Sequence, residues 1–156
     1  MSLDWLIVDG YSLLYRERSR RPFGKPAPLE RDEFIRRLER MCGSLAERVT
    51  VVFDGRDAGG PDEAYCGGVE VLYSPSSLTA DSVIERLVHE HSGKTSIMVV
   101  TSDRRERETV EAAGVRTLSC GDFLDLCEEE ERRRNGRLAM SRRMPPLTLG
   151  ERFPPG

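Results

Sequence analysis

Histidine is scarce in this 156-residue chain, and the four cysteines stand far apart. Cys42, Cys66, Cys120 and Cys127 form no C-x-x-C and have no histidine cluster beside them, so a zinc site lacks its ligand set. They read as reduced structural thiols. Long apolar runs are missing too, and nothing approaches the ~18–20 residues of a membrane helix. Asp4 interrupts the first apolar segment, which removes the basic-then-apolar pattern of a signal peptide; a cytoplasmic protein is expected. Neither G-x-x-x-x-G-K-[ST] nor G-x-G-x-x-G occurs, so the usual nucleotide cradles are absent.

Lysine is almost absent as well: of 24 basic residues, 22 are arginine. A GC-rich genome would produce that bias, and so would phosphate contact, which the planar guanidinium suits. The net charge of −3 is unevenly placed. Residues 1–131 carry 26 acids against 17 bases, whereas residues 132–156 carry one acid against seven bases. Overall acidity argues against a tight general nucleic-acid binder but leaves room for local basic tracks.

Strand and helix signals alternate. "LDWLIV" reads as a strand, followed by a charged loop, "YRERSRRPFGKPAP". A helix then carries Phe34, Leu38, Met41, Cys42 and Leu45 on one face. "VTVVF" is a β-branched run of the kind buried on both faces, and a Gly/Asp-rich loop runs from it to Gly68. "VEVLY" is a third strand, and Thr79 is placed to cap a helix bearing Val83, Ile84, Leu87 and Val88. "TSIMVV" is a fourth strand. "RRERETVEAA" is a helix stopped by Gly114, "VRTLS" a fifth strand, and "GDFLDLCEEEERRR" a last helix. The alternation predicts a three-layer α/β/α sandwich on a mostly parallel, five-stranded sheet. The predicted domain covers residues 1–134, and 135–156 form a basic, proline-rich tail in which Leu147 and Phe153 are candidate tethers.

Where the aspartates fall is the informative feature. Asp9 ends the first strand, Asp54 the second and Asp103 the fourth, while Asp81 opens the helix after the third. In an open parallel sheet these positions share the carboxyl edge, where ligands bind. Acids converging there repel one another unless a cation neutralises them, and all-oxygen ligands suit Mg²⁺ or Mn²⁺. A carboxylate-held ion of that kind points to phosphodiester hydrolysis. Each acid also has a plainer role: Asp54 and Asp103 as turn or cap residues, Asp81 at a helix dipole. Glu85, one turn after Asp81, is either a fifth acid or a solvated helix glutamate. A dehalogenase-type phosphatase fits less well, since Gly10 and Tyr11 follow Asp9. So does a receiver domain, which would need a lysine where Leu118 and Ser119 stand. His89 and His91 fall near a helix end away from this edge.

The blocks "LIVDGYS", "VVFDG", "VEVLYSPSSLTADSVIERL", "VVTSDRRERE" and "GVRTLSCGDF" resemble, in order, those of YacP-like proteins of the NYN-domain group, over roughly residues 3–130. The group belongs to the PIN-like nuclease superfamily. The resemblance implies a PIN-like α/β/α fold and metal-dependent endonucleolytic cleavage of RNA. It also implies that Asp9, Asp81 and Asp103 bind metal, with Asp54 and Glu85 as assisting acids and Ser102 as the hydroxyl before the last acid. One departure stands out: Ser12 occupies the place of the asparagine in D-G-Y-N, and a serine hydroxyl reaches about one bond less far.

An RNA substrate needs a basic track beside the acids. Arg16, Arg18, Arg20 and Arg21 follow the first strand, Arg56 the second, and Arg104 and Arg105 follow Asp103. Tyr11 is a candidate stacking platform or a packed aromatic. The tail arginines are placed either for RNA or for pairing with Glu128 through Glu131. The reading is a metal-dependent endoribonuclease whose partner is RNA, free or within a ribonucleoprotein such as the ribosome. The rivals are a non-catalytic RNA-binding or adaptor domain of the same fold and a small-molecule phosphohydrolase.

Overall fold

Aliphatic and β-branched segments form the sheet. In the computed structural model, residues 3–20, 27–55, 63–66 and 68–143 are described. Five strands run parallel: β1 (Trp5–Asp9), β2 (Arg48–Phe53), β4 (Val69–Tyr73), β5 (Ile97–Val100) and β6 (Arg116–Leu118). β1 is buried throughout and β2 in all but Arg48, as near-continuous apolar runs require. The sheet has a sixth strand, β3 (Glu63–Cys66), antiparallel to β4 at the edge. It falls in the stretch expected to be loop. An edge strand needs only one neighbour's backbone bonds, so a short segment without an apolar stripe can supply it.

The strand order is β3-β4-β2-β1-β5-β6. The chain starts at the centre, builds outward through β2 and β4, then returns to β1's other side for β5 and β6. The order therefore reverses between β1 and β5, and at such a switch point a crevice opens beyond the carboxyl ends. Asp9 is the last residue of β1 and stands at that crevice.

Helices α1 (Gly10–Arg20) and α2 (Ala27–Leu45) connect β1 to β2; α3 (Ala80–His91) and α4 (Arg104–Ala112) flank β5, and α5 (Cys120–Arg143) follows β6. Residues 15–20 were expected in a loop, yet they complete α1. Leu13 is fully buried, and the arginines and glutamate after it are good helix formers whose charges need no burial. Thr79 caps α3 as expected, its hydroxyl accepting from the Ser82 N–H at 3.2 Å. Gly114, at φ 84°, ends α4 in a conformation that costs other residues a steric penalty. Along one sheet face Trp5, Ile7, Val52 and Val99 pack with Ile84 and Val88 of α3 and Val110 of α4. Side chains alternate along a strand, so Asp9 lies on the face of Trp5 and Ile7, toward α3 and α4.

At the Trp5 end of this face the buried polar groups are matched. Trp5 Nε1 donates to Thr50 Oγ1 at 2.8 Å, and that hydroxyl donates to Glu70 Oε1 at 2.7 Å. Arg48 also donates to Glu70, at 3.0 Å, while stacking 4.0 Å from the Trp5 ring centre. His91 packs edge-on against Trp5, at the end of β1 opposite Asp9. Cys42, Cys120 and Cys127 are thiols outside any disulfide.

The chain divides into two compact units, residues 1–124 and 125–156. The first holds the sheet and α1 to α4. In the second, α5 continues to Arg143, past the expected boundary at residue 134. There Arg133 pairs with Glu129 at 2.8 Å and with Glu130 at 4.0 Å. Leu147 and Phe153 lie outside the described residues.

Candidate active site

Asp9 leads from β1 straight into α1, so its carboxylate meets the free N–H groups of the first turn. Oδ1 accepts from the Ser12 N–H at 3.3 Å and Oδ2 from the Ser12 hydroxyl at 3.0 Å. Ser12 therefore reaches the acid at the position where an asparagine was expected. Gly10 has a packing role: a Cβ there would overlap the buried Phe53 ring.

Asp81 stands in the first turn of α3, half-buried, where the helix dipole favours a negative charge. The third acid of the group is Glu106, in the first turn of α4 and almost fully buried. One carboxylate oxygen each from Asp9, Asp81 and Glu106 lie within 4.8 Å of one another. Glu106 Oε2 accepts from the buried Thr101 hydroxyl at 2.9 Å. Its Oε1 is buried and receives no donor.

Burial, and then the charges of Asp9 and Asp81, push the Glu106 carboxyl up to about 10, against the pull of the Thr101 bond. Burial also raises Asp9, helped by the Asp81 charge and opposed by hydrogen bonds from Glu106 and Ser12. The unpartnered Oε1 and the Glu106–Asp9 hydrogen bond are reconciled if Glu106 is the protonated partner and donates to Asp9. A divalent cation would replace that proton and relieve the repulsion at once. Three oxygen ligands, one lacking a donor, fit a hard cation such as Mg²⁺ or Mn²⁺.

Asp103, expected as the third ligand, is not part of this group. It is exposed and caps α4, its Oδ1 accepting from the N–H groups of Arg105 at 2.9 Å and Glu106 at 3.3 Å. It stays linked to the site, because its own N–H donates to Thr101 Oγ1 at 3.1 Å. Asp54 follows β2, half-buried at the same edge and outside the group of three. Glu85 lines a cleft of about 490 Å³ between α3 and α4, with Arg86, His89 and Thr109. Ser102 is exposed and its side chain hydrogen-bonds Cys120. Burial raises that thiol to about 11, assisted by the charges of Asp9 and Glu106 and opposed by the Ser102 bond and Arg16.

The Arg16 guanidinium lies against Gly121 in the first turn of α5, close enough to Cys120 to act on its thiol. Arg16 and the acids thus act on the same thiol, with opposite signs of charge. Arg18, Arg104 and Arg105 are exposed, and Arg104 sits 4.0 Å from Glu108. Arg20 ends α1, whereas Arg21 and Arg56 lie outside the described residues. Tyr11 packs edge-on against Phe53 at 5.1 Å, which accounts for it as a packed aromatic.

The sheet and its acid-lined crevice define a nuclease-like α/β domain. The family model of the YacP-like NYN domain matches residues 6–147, and the chain belongs to that family. It is similar to two crystal structures of Rae1 (YacP) from Bacillus subtilis. One, a tryptophan-to-leucine mutant, shares 28% identity at a TM-score of 0.73, over 96% of this chain and 89% of that one. The other shares 27% at a TM-score of 0.69, over 88% and 81%. Among curated proteins, none matches. No helix among the described residues is long and apolar enough to cross a membrane.

Proposed function

We propose that this protein is a metal-dependent endoribonuclease. The observation that carries the reading is the convergence of Asp9, Asp81 and Glu106 at the switch point, with one buried Glu106 oxygen left without a donor. These three residues would hold a Mg²⁺ or Mn²⁺ ion. When bound, such an ion orients a backbone phosphate, activates water and offsets charge on the departing oxygen.

The chain's own groups supply the rest. Ser12 fixes the Asp9 carboxylate through two donors, and Thr101 fixes Glu106. Asp103 caps α4 and so sets the turn that carries Glu106; it acts as a positioning acid, and Asp54 supports the same edge. Arg16 offers a cation beside the acids for a flanking phosphate, and Arg104 and Arg105 offer two more on the far side of Asp103. Membership in an RNA-related family makes RNA the polymer of choice.

The test is cleavage of a labelled RNA in Mn²⁺ against EDTA, with wild type beside Asp81→Asn. Asp81 is half-buried in a helix first turn, so the amide should fold normally and lose cleavage by at least a hundredfold, on the order expected for removal of metal-ion catalysis. Cleavage that survives in EDTA, or in Asp81→Asn with metal present, would refute the assignment. Metal-independent RNA binding without cleavage in wild type would leave the adaptor reading in its place.

A further inference from the structure

Tyr15 is 68% exposed, and only Leu126 among the other large apolar residues described is also exposed. Among the described residues no ring or hydrogen-bond partner calls for a tyrosine there. Leu13 fills the inward side of α1, and Tyr11, one turn earlier, is taken up by Phe53. Tyr15 lies roughly 180° around the helix from the midpoint of Leu13 and Glu17, at about 100° per residue, and so stands on the outer crest.

Apart from Glu17, the charged residues of its own helix have one sign. Glu17 is the only acid of α1, and it turns inward to Arg37 at 3.5 Å, both side chains about 15% exposed. The remaining charged residues of the helix are Arg16, Arg18 and Arg20. The crest therefore offers an aromatic face on a basic helix. α1 also begins directly after Asp9, and Tyr15 follows that acid by about 9 Å along the helix axis. Arg16, the next residue, acts on the Cys120 thiol, as Asp9 and Glu106 of the acid group also do.

We propose that Tyr15 is a stacking platform for an unpaired nucleobase, and that the RNA this site takes is single-stranded where it crosses α1. The inference rests on the nuclease reading above and specifies its substrate. Bases in a duplex have both faces covered by their neighbours, whereas an unpaired base offers a free face to the phenol ring. Arg16 would hold the phosphate of the same stretch and supply the salt-dependent share of binding.

Full-length Asp81→Asn protein, as a non-cleaving background, is titrated into fluorescein-labelled, unstructured RNA of roughly 12 nucleotides and into its blunt duplex. Added Tyr15→Ala should weaken single-strand binding about tenfold, change duplex binding less than about twofold, and leave the melting temperature unchanged. Tyr15→Phe should retain the affinity, since the ring and not the hydroxyl is used. Tyr15→Trp should retain it too, with its exposed indole quenched by single-stranded RNA above the constant signal of buried Trp5. Undiminished single-strand affinity in Tyr15→Ala, or equal losses for strand and duplex, would overturn the stacking role while the nuclease reading stands. Absence of RNA binding in the unmodified background would sink both.

Discussion

Ser12 touches both oxygens of Asp9, and the two contacts come from different parts of the residue. The backbone N–H is fixed by the helix and survives any side-chain change. The hydroxyl is separable. Ser12→Ala should therefore leave α1 formed but free one Asp9 oxygen to rotate. We expect Mn²⁺ affinity and cleavage each to fall about tenfold, the range for a lost hydrogen bond to a charged group. Ser12→Asn, with a longer donor, should recover most of both. Isothermal titration with Mn²⁺ and a cleavage time course check the pair; full activity in Ser12→Ala would show that the N–H alone positions Asp9.

At the level of elements, α4 does two jobs with its first turn. Asp103 caps it, and Glu106, three residues on, points inward. Asp103→Ala should cost about 1 kcal/mol of stability as a lost cap, readable in denaturant unfolding, whereas Asp103→Asn keeps a good cap and should cost little. Glu106→Gln should instead abolish tight Mn²⁺ binding while folding normally. If Asp103→Asn proves the more damaging to Mn²⁺ affinity, Asp103 is the ligand and Glu106 its support. The same turn explains what sequence reading reached and missed. The parallel strands were visible because buried strands are continuous apolar runs, and Asp9 and Asp81 because they end or follow such elements. Glu106 was hidden in "RRERETVEAA", a run that looks like a solvated face. Its one signal was Val110: the only β-branched aliphatic residue of that helix faces inward, and the residue four before it is Glu106. α1 went unread for the related reason that a short helix with one buried apolar turn carries little periodicity. β3 has its ladder set by β4 rather than by any pattern of its own.

For the molecule as a whole, the buried acids make stability depend on pH in a direction opposite to most surface carboxylates. The unfolded Glu106 carboxyl titrates near 4.5, the folded one at about 10. Between those values the folded protein holds a proton that the unfolded chain has released, so each rise in pH favours unfolding. Asp9, also raised by burial, adds to the loss above its ordinary value of 3.8. Asp4 at the opposite edge is lowered by hydrogen bonds from Ser96 and Thr95, so its contribution is lost only in acid, below this window. Metal-free protein in EDTA should thus melt progressively lower as pH climbs from about 5 to 9. Glu106→Gln cannot exchange that proton, and its amide can still donate to Asp9 and accept from Thr101, so its melting curve should be flatter and higher at pH 8. Adding Mn²⁺ to wild type should reverse the trend, because the cation displaces the proton and gains affinity as protons become scarce. Scanning calorimetry across that range, with and without Mn²⁺, reads all three. An equal slope for wild type and Glu106→Gln in EDTA would mean that the proton resides elsewhere, and that Glu106 is not the group whose burial a cation must answer.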